Sequence, residues 1–191
     1  MFFRCLGWEG ICVEPQSEYH ANIRAKRSCT LVTECISSAA STVSFSVGKQ
    51  GLGGVVPAET SASTATTQIK CLPFKDILSQ HKNGSVTHVD FWSLDVEGYE
   101  LTVLQSVDFS AISVSVMLIE DYWVLQRNLD LLMTQSFFSK YMQLAIDSLW
   151  VKRGFRGTTI NGIYFPPKFK ANIDTFTAYR MQKDIQKLIK C

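Results

Sequence analysis

Short apolar runs, typical of buried strands, alternate along the chain with segments of helical periodicity. Near the N-terminus, strands are predicted at residues 10–14 and 30–36, with a helix over residues 18–26 between them. Ser17 stands at the N-cap position of that helix. Residues 42–47 alternate polar and apolar side chains, which predicts a half-exposed strand. The order strand, helix, strand is typical of parallel strands joined by a crossover.

The same alternation continues through the rest of the chain. We predict strands at residues 68–72, 86–94 and 112–119, helices at 73–81, 97–107 and 125–139, a hairpin with arms at 141–145 and 148–152, and an amphipathic helix at 175–190. Residues 48–67 are rich in Gly, Ser, Thr and Ala, which predicts a loop. The pattern predicts an α/β fold with a mostly parallel sheet, helices on both faces and antiparallel strands at one edge.

Composition narrows the class of protein. With 191 residues the chain can bury one sizeable core, and we predict a domain over residues 1–170 followed by a C-terminal helix over residues 171–191. The net charge of +2 gives no reason to expect a nucleic-acid partner. No run reaches the ~18 apolar residues of a membrane span, so we expect no span in this chain. The sequence does not indicate an oligomeric state.

The six cysteines form no C-x-x-C pair, and the three histidines are not spaced as zinc partners. We therefore assign no metal site from the sequence. Cys12 and Cys35 lie inside apolar runs, where a thiol behaves as a small hydrophobe. We expect the cysteines to be reduced and the protein to be cytoplasmic, unless a signal or anchor is encoded upstream of Met1.

Three acids, Glu14, Asp95 and Glu120, each stand at the end of an apolar strand. The carboxyl ends of parallel strands share one edge of a sheet, so these acids are predicted to converge on one crevice, where ligands of open α/β sheets bind. Glu14 has the position of an acid that accepts the hydroxyls of a ribose in dinucleotide-binding folds.

The acids that follow residue 94 allow several interpretations. Asp95 and Glu97 are suited to bind the ammonium group of a cofactor, to bind a metal or to act as a general base. Equally, they are suited to cap the helix that follows. Gly98 lets the backbone approach a ligand closely. A structural role is favoured for Glu120, and Asp147 is predicted to be a turn residue.

Three blocks carry a resemblance to a known family. They are Leu-Gly-Trp-Glu-Gly-Ile-Cys-Val-Glu-Pro at residues 6–15, the strand-like segment at 29–37, and residues 90–104, which include Ser-Leu-Asp-Val-Glu-Gly-Tyr-Glu. In these blocks the chain resembles the FkbM-type methyltransferases, and the third block is the most specific. The resemblance extends from residue 6 to residue 153.

The resemblance implies a Rossmann-like class I methyltransferase that uses S-adenosylmethionine. Glu14 would hold the ribose hydroxyls, and Asp95 and Glu97 would line the methyl-transfer site. The implied cofactor-binding residues are Glu14, Pro15, Cys35, Ile36, Ser37 and Asp95, with Cys35, Ile36 and Ser37 near the adenine. Because the family methylates mostly oxygen atoms, the resemblance implies the hydroxyl of a sugar or small molecule as acceptor, and therefore a small-molecule or glycan partner.

The chain departs from the family pattern ahead of the first block. Family members carry a strand and a glycine-rich turn of the D-x-G-A-N-x-G kind there, and nothing in these 191 residues matches that turn. We therefore expect a sheet without its first strand, an N-terminally truncated sequence and weak cofactor binding. The alternative is a non-catalytic α/β interaction module that has lost the cofactor site.

Overall fold

Strands and helices alternate along the chain and form a mixed α/β fold. The structure, a computed structural model, describes residues 9–46, 54–55, 66–81, 86–122, 124–155, 159–160 and 163–164. Its elements are β1 (Ile11–Val13), α1 (Ser17–Lys26), β2 (Thr30–Val32), β3 (Cys35–Ile36), β4 (Ser41–Ser46), β5 (Gly54–Val55), β6 (Thr66–Leu72), α2 (Phe74–His81), β7 (His88–Leu94), α3 (Glu100–Gln105), β8 (Ser113–Glu120), α4 (Gln126–Gln135), β9 (Phe138–Leu144), β10 (Asp147–Lys152), β11 (Thr159–Ile160) and β12 (Ile163–Tyr164). No helix in these ranges is long and apolar enough to cross a membrane.

The C-terminal sheet has four strands in the order β7-β8-β10-β9. β7 and β8 are parallel and are connected through α3, with Leu94 opposite Ile119. β10 is antiparallel to both β8 and β9. The predicted hairpin is confirmed, but its turn is formed by Ala145 and Ile146, and Asp147 is already the first residue of β10. The predicted antiparallel edge is therefore present in this sheet.

The N-terminal strands form smaller sheets. β1 and β2 are parallel and are connected through α1, whereas β3 joins a second sheet in the order β3-β6-β4-β5. The single strand predicted over residues 30–36 is thus wrong, because its two ends pair with different partners. Of the eight described strand pairings, three are parallel and five are antiparallel, so the expected mostly parallel sheet is not observed. A connection as short as the two-residue turn between β9 and β10 requires an antiparallel pair.

One large hydrophobic cluster fills the space between the C-terminal sheet and helices α2, α3 and α4. Its fully buried members include Met117, Leu129 and Phe138. A smaller cluster consists of Val32, Leu72 and Ile77. Ile11 in β1 and Ile36 in β3 pack against both clusters, so the N-terminal strands lie beside the core of the C-terminal sheet.

Two disulfides cross-link the N-terminal strands. One joins Cys12 to Cys29, and the other joins Cys35 to Cys71. The parallel pairing of β3 and β6 places Cys35 directly opposite Cys71. The expectation of reduced cysteines is therefore wrong for these four residues, since their proximity depends on strand pairing that the local sequence does not reveal. The cytoplasmic assignment rested on reduced cysteines and loses that support.

Several helix ends differ from the predicted ones. Ser17 is the first residue of α1, and Gln16, at the N-cap position, makes no capping hydrogen bond with its side chain. The predicted helix over residues 125–139 is too long, because Phe137 adopts a left-handed φ of 66° and β9 begins at the next residue. The predicted helix over residues 175–190, and with it the domain division after residue 170, lies outside the described residues.

Candidate functional site

The turn that follows β7 has an uncommon backbone conformation. Glu97 has a φ of 53° and Gly98 a φ of 97°, so two consecutive residues are left-handed. Glycine adopts this conformation freely, whereas a glutamate there is strained. Strain of this kind is often found at functional sites, where the surrounding structure holds it in place.

Glu100, the first residue of α3, holds this turn. Its side chain is fully buried, and its Oε1 accepts hydrogen bonds from the backbone N–H groups of Val96 at 2.9 Å and Gly98 at 3.2 Å. The N-cap position of α3 belongs to Tyr99, so neither Asp95 nor Glu97 stands there. The alternative that these two acids serve as N-cap residues is therefore wrong.

Three carboxylates meet at the ends of β7 and β8. Asp95, Glu100 and Glu120, named here the acidic triad, each offer one carboxylate oxygen, and these oxygens lie within 4.8 Å of one another. The parallel register that sets Leu94 opposite Ile119 places the next residues, Asp95 and Glu120, side by side. The predicted convergence is confirmed for this pair, and α3 adds Glu100, which the sequence did not identify as a site residue.

Glu120 has an unusual titration behaviour. Burial, as the largest cause, and the nearby acids Asp95, Glu97 and Glu100 together raise its pKa from 4.5 to about 7. Asp95 contributes both its negative charge and a side-chain hydrogen bond. A carboxyl group that titrates near neutral pH can accept a proton during a reaction and release it afterwards. The structural role that the sequence favours for Glu120 stays a prediction.

Two further acids lie beside the triad and differ from it. Asp147 is opposite Glu120 in the sheet, and burial, followed by the charges of Asp95 and Asp121, raises its pKa. Its predicted position in a turn is wrong, because the turn ends one residue earlier. Asp121 is neutralised: Lys140 Nζ lies 3.6 Å from its Oδ2, and the side-chain amide of Gln143 donates to Oδ1 at 2.8 Å.

The acidic triad has no such counter-charge among the described residues. In the described part of the chain, no lysine or arginine forms a salt bridge with Asp95, Glu100 or Glu120. The Oε2 atoms of Glu100 and Glu120 are both buried and have no hydrogen-bond partner among the described residues. Buried carboxylate oxygens without partners are costly, because they lose their hydration and gain nothing in return.

Glu14 lies on a different sheet from the triad. It follows β1, its backbone N–H donates to the carbonyl of Val32 at 2.9 Å, and its Oε1 accepts the backbone N–H of Gln16 at 2.8 Å. Partial burial raises the pKa of Glu14, against the opposing effects of that hydrogen bond and of His20. No contact between described residues joins Glu14 to the triad, so its convergence on the same crevice stays a prediction.

The residues predicted to lie near the adenine stand at the end of β3. Cys35 is part of a disulfide, Ile36 packs against both hydrophobic clusters, and the backbone N–H of Ser37 donates to the carbonyl of Leu72 at 3.0 Å. Pro15 follows Glu14 directly at the end of β1. All these positions follow or end strands of parallel pairs, and their cofactor roles stay predictions.

Comparison with known proteins gives the family. Residues 1–156 match the family model of the methyltransferase FkbM domain. No curated protein and no solved structure matches the chain. The matched residues include the strained turn, the acidic triad and Glu14, and they cover most of the 191 residues. The chain therefore belongs to the FkbM methyltransferase family.

Proposed function

We propose that this protein transfers a methyl group from S-adenosylmethionine to a hydroxyl group of a sugar or another small molecule. Family membership supports methyl transfer. The observation that carries the proposal is the group of acids at the ends of β7 and β8, in which Glu120 titrates near neutral pH. A hydroxyl acceptor needs a nearby group that can take its proton.

The reaction forms a bond between the acceptor oxygen and the methyl carbon while the bond from carbon to sulfur breaks, and the electron pair of that bond stays on sulfur. The cofactor, when bound, supplies a methyl group activated by a positively charged sulfur. Asp95 is exposed and so is available to orient the acceptor hydroxyl, with Glu97 at the same turn. The single acceptor proton passes to one carboxylate of the Asp95–Glu120 pair. Orientation supplies much of the rate, because methyl transfer requires an in-line approach.

The residues at the ends of β1 and β3 fit the cofactor's nucleoside. Glu14 is a partly buried acid whose carboxylate is positioned by the N–H of Gln16, and an acid at the end of a strand is suited to accept ribose hydroxyls. We assign Pro15, Cys35, Ile36 and Ser37 to the surroundings of the ribose and adenine.

The strand connections support a Rossmann-like arrangement for this proposal. β1 and β2 form a parallel pair connected through α1, and β7 and β8 form one connected through α3. Such strand-helix-strand units place ligands at the carboxyl ends of their strands. Glu14 and Asp95 occupy those ends.

Calorimetric titration with S-adenosylhomocysteine, the demethylated product, tests the proposal. We expect weak binding by the 191-residue chain, because nothing in its sequence matches the D-x-G-A-N-x-G turn. Glu14→Gln should weaken this binding at least about tenfold, the value of one hydrogen bond to a charged group. Glu18→Gln removes a nearby exposed charge and serves as the matched control.

The outcomes separate the proposal from its alternative. No binding at millimolar concentration of S-adenosylhomocysteine would overturn the cofactor assignment and favour a non-catalytic interaction module. Unchanged binding by Glu14→Gln would contradict the ribose role while leaving methyl transfer open to a direct assay. That assay measures release of S-adenosylhomocysteine with a panel of sugars and small alcohols, and Asp95→Asn should slow it.

A further inference from the structure

The acidic triad combines the donors and the spacing of a cation site. It presents three carboxylates from three different elements, Asp95 after β7, Glu100 in α3 and Glu120 at the end of β8, with one oxygen of each within 4.8 Å of the others. Oxygen atoms bound to one Mg²⁺, Mn²⁺ or Ca²⁺ ion lie about 2.0–2.6 Å from it, and are therefore at most roughly 5 Å apart. The observed separation fits this limit.

A second observation points to a missing ligand. The side chain of Glu100 is completely buried, and only Oε1 is used by the backbone of the turn. Oε2 is also buried and has no hydrogen-bond partner among the described residues. The nearby acid Asp121 shows the contrast, because Lys140 and Gln143 supply its partners. Described residues therefore neutralise Asp121, whereas none of them neutralises the triad.

We propose that Asp95, Glu100 and Glu120 bind one divalent cation of the oxygen-preferring class, Mg²⁺, Mn²⁺ or Ca²⁺. Carboxylate oxygens without histidine or cysteine favour these ions over zinc or copper. Asp95 is exposed, so the ion has an entry path and can keep water molecules or acceptor oxygens on its open side. The cation would give the buried oxygen of Glu100 its partner and remove the repulsion among the three acids.

The proposal that the triad binds a cation does not depend on the proposed function. A role of that cation in catalysis rests on the proposed methyl transfer. If methyl transfer takes place at the triad, an acceptor hydroxyl bound to the ion would release its proton to solvent water more easily, because a cation lowers the pKa of a coordinated oxygen, and the carboxylates of the triad would stay bound to the ion. The acceptor would then coordinate the ion directly through the hydroxyl that becomes methylated.

Electron paramagnetic resonance of Mn²⁺ tests the site on the full chain without cofactor or acceptor. At pH 8 we expect one Mn²⁺ per chain, displaced by Mg²⁺ or Ca²⁺. Asp95→Asn and Glu120→Gln should each weaken Mn²⁺ binding at least about tenfold, the range seen when support for a metal site is removed. Asp90→Asn removes an exposed acid from the same strand, β7, and should leave the affinity unchanged.

Three outcomes of the Mn²⁺ measurement would contradict the proposed cation site. No Mn²⁺ binding at millimolar concentration, equal binding by Asp95→Asn and the unmodified chain, or equal loss in Asp90→Asn would each overturn the proposal. Asp95 is exposed, so its substitution should preserve the fold, and circular dichroism checks this. Because the measurement contains no cofactor, its failure is distinct from a failure of the proposed methyl transfer.

Discussion

The two halves of the described chain are stabilised in different ways. The N-terminal half, residues 9–81, has short strands, a separate cluster of three buried hydrophobic residues and two disulfides. The C-terminal half, residues 86–155, supplies most of a cluster of fourteen buried residues and carries the acidic triad at the edge of its sheet. The half with the larger hydrophobic core therefore contains the carboxylates that repel one another. The half with the smaller core is cross-linked by disulfides.

Removal of the disulfides should have the largest effect on stability. The bonds close loops of 17 and 36 residues, and loop-closure entropy predicts losses of about 3 and about 4 kcal/mol in the free energy of unfolding. Guanidinium unfolding with and without reductant measures the change, and mass spectrometry after thiol alkylation identifies the bonded pairs. Alkylation of Cys12, Cys29, Cys35 and Cys71 in the folded chain without reductant would contradict this account of the N-terminal half.

A core substitution in the C-terminal half should cost less than the loss of both disulfides and should not depend on reductant. Met117 is fully buried in the large cluster, so Met117→Ala should lower the free energy of unfolding by about 2–5 kcal/mol. Guanidinium unfolding under oxidising and reducing conditions provides the comparison. A strong dependence of this loss on reductant would show that the two halves are not stabilised independently.

Glu100→Gln tests the buried acid that holds the strained turn. Glutamine keeps an oxygen that can accept the N–H groups of Val96 and Gly98, but these hydrogen bonds lose their charge assistance. We expect the free energy of unfolding to fall by about 1–3 kcal/mol, and Glu100→Ala to cause a larger loss. If the alanine variant were as stable as the unmodified chain, Glu100 would not hold the turn.

The pH dependence of stability should show the raised pKa of Glu120. Between pH 4.5 and about 7 the folded state keeps a proton on Glu120 that the unfolded state loses, so the free energy of unfolding should fall as the pH rises through this window. Glu120→Gln cannot ionise and should lack this contribution. Chemical unfolding of both proteins at several pH values measures the difference, and identical slopes would contradict the raised pKa.

Local signals in the sequence were sufficient for β7 and for α2, but the helix predicted from residue 97 begins only at Glu100, so the turn that carries the site was not predicted. The apolar run before Asp95 predicted β7, and the buried side chains Phe74, Ile77 and Leu78 follow the predicted helical spacing of α2. The prediction that Asp95 lies close to Glu120 depended on one assumption, that their strands are parallel neighbours. The register of β7 and β8 confirms that assumption.

Features that depend on distant contacts were not predictable in the same way. The apolar surroundings of Cys12 and Cys35 suggested reduced thiols, whereas strand pairing brings each close to a second cysteine. The sequence did not identify Glu100 as a site residue. Its side chain accepts N–H groups of the preceding turn, and the conformation of that turn could not be predicted. The observed hairpin turn lies one residue before the predicted one. Asp147 is therefore in a strand, opposite Glu120, and not in the turn.

The central claim is that acids from β7, α3 and β8 form one coupled site. Carbon-13 NMR of the glutamate side-chain carboxyl groups tests it most directly, with Glu120 assigned by its absence in Glu120→Gln. We predict a midpoint of about 7 for Glu120 in the metal-free chain, and a lower midpoint in Asp95→Asn, where one neighbouring negative charge is removed. A midpoint near 4.5, the ordinary value for a glutamate, would show that the three acids do not share a site.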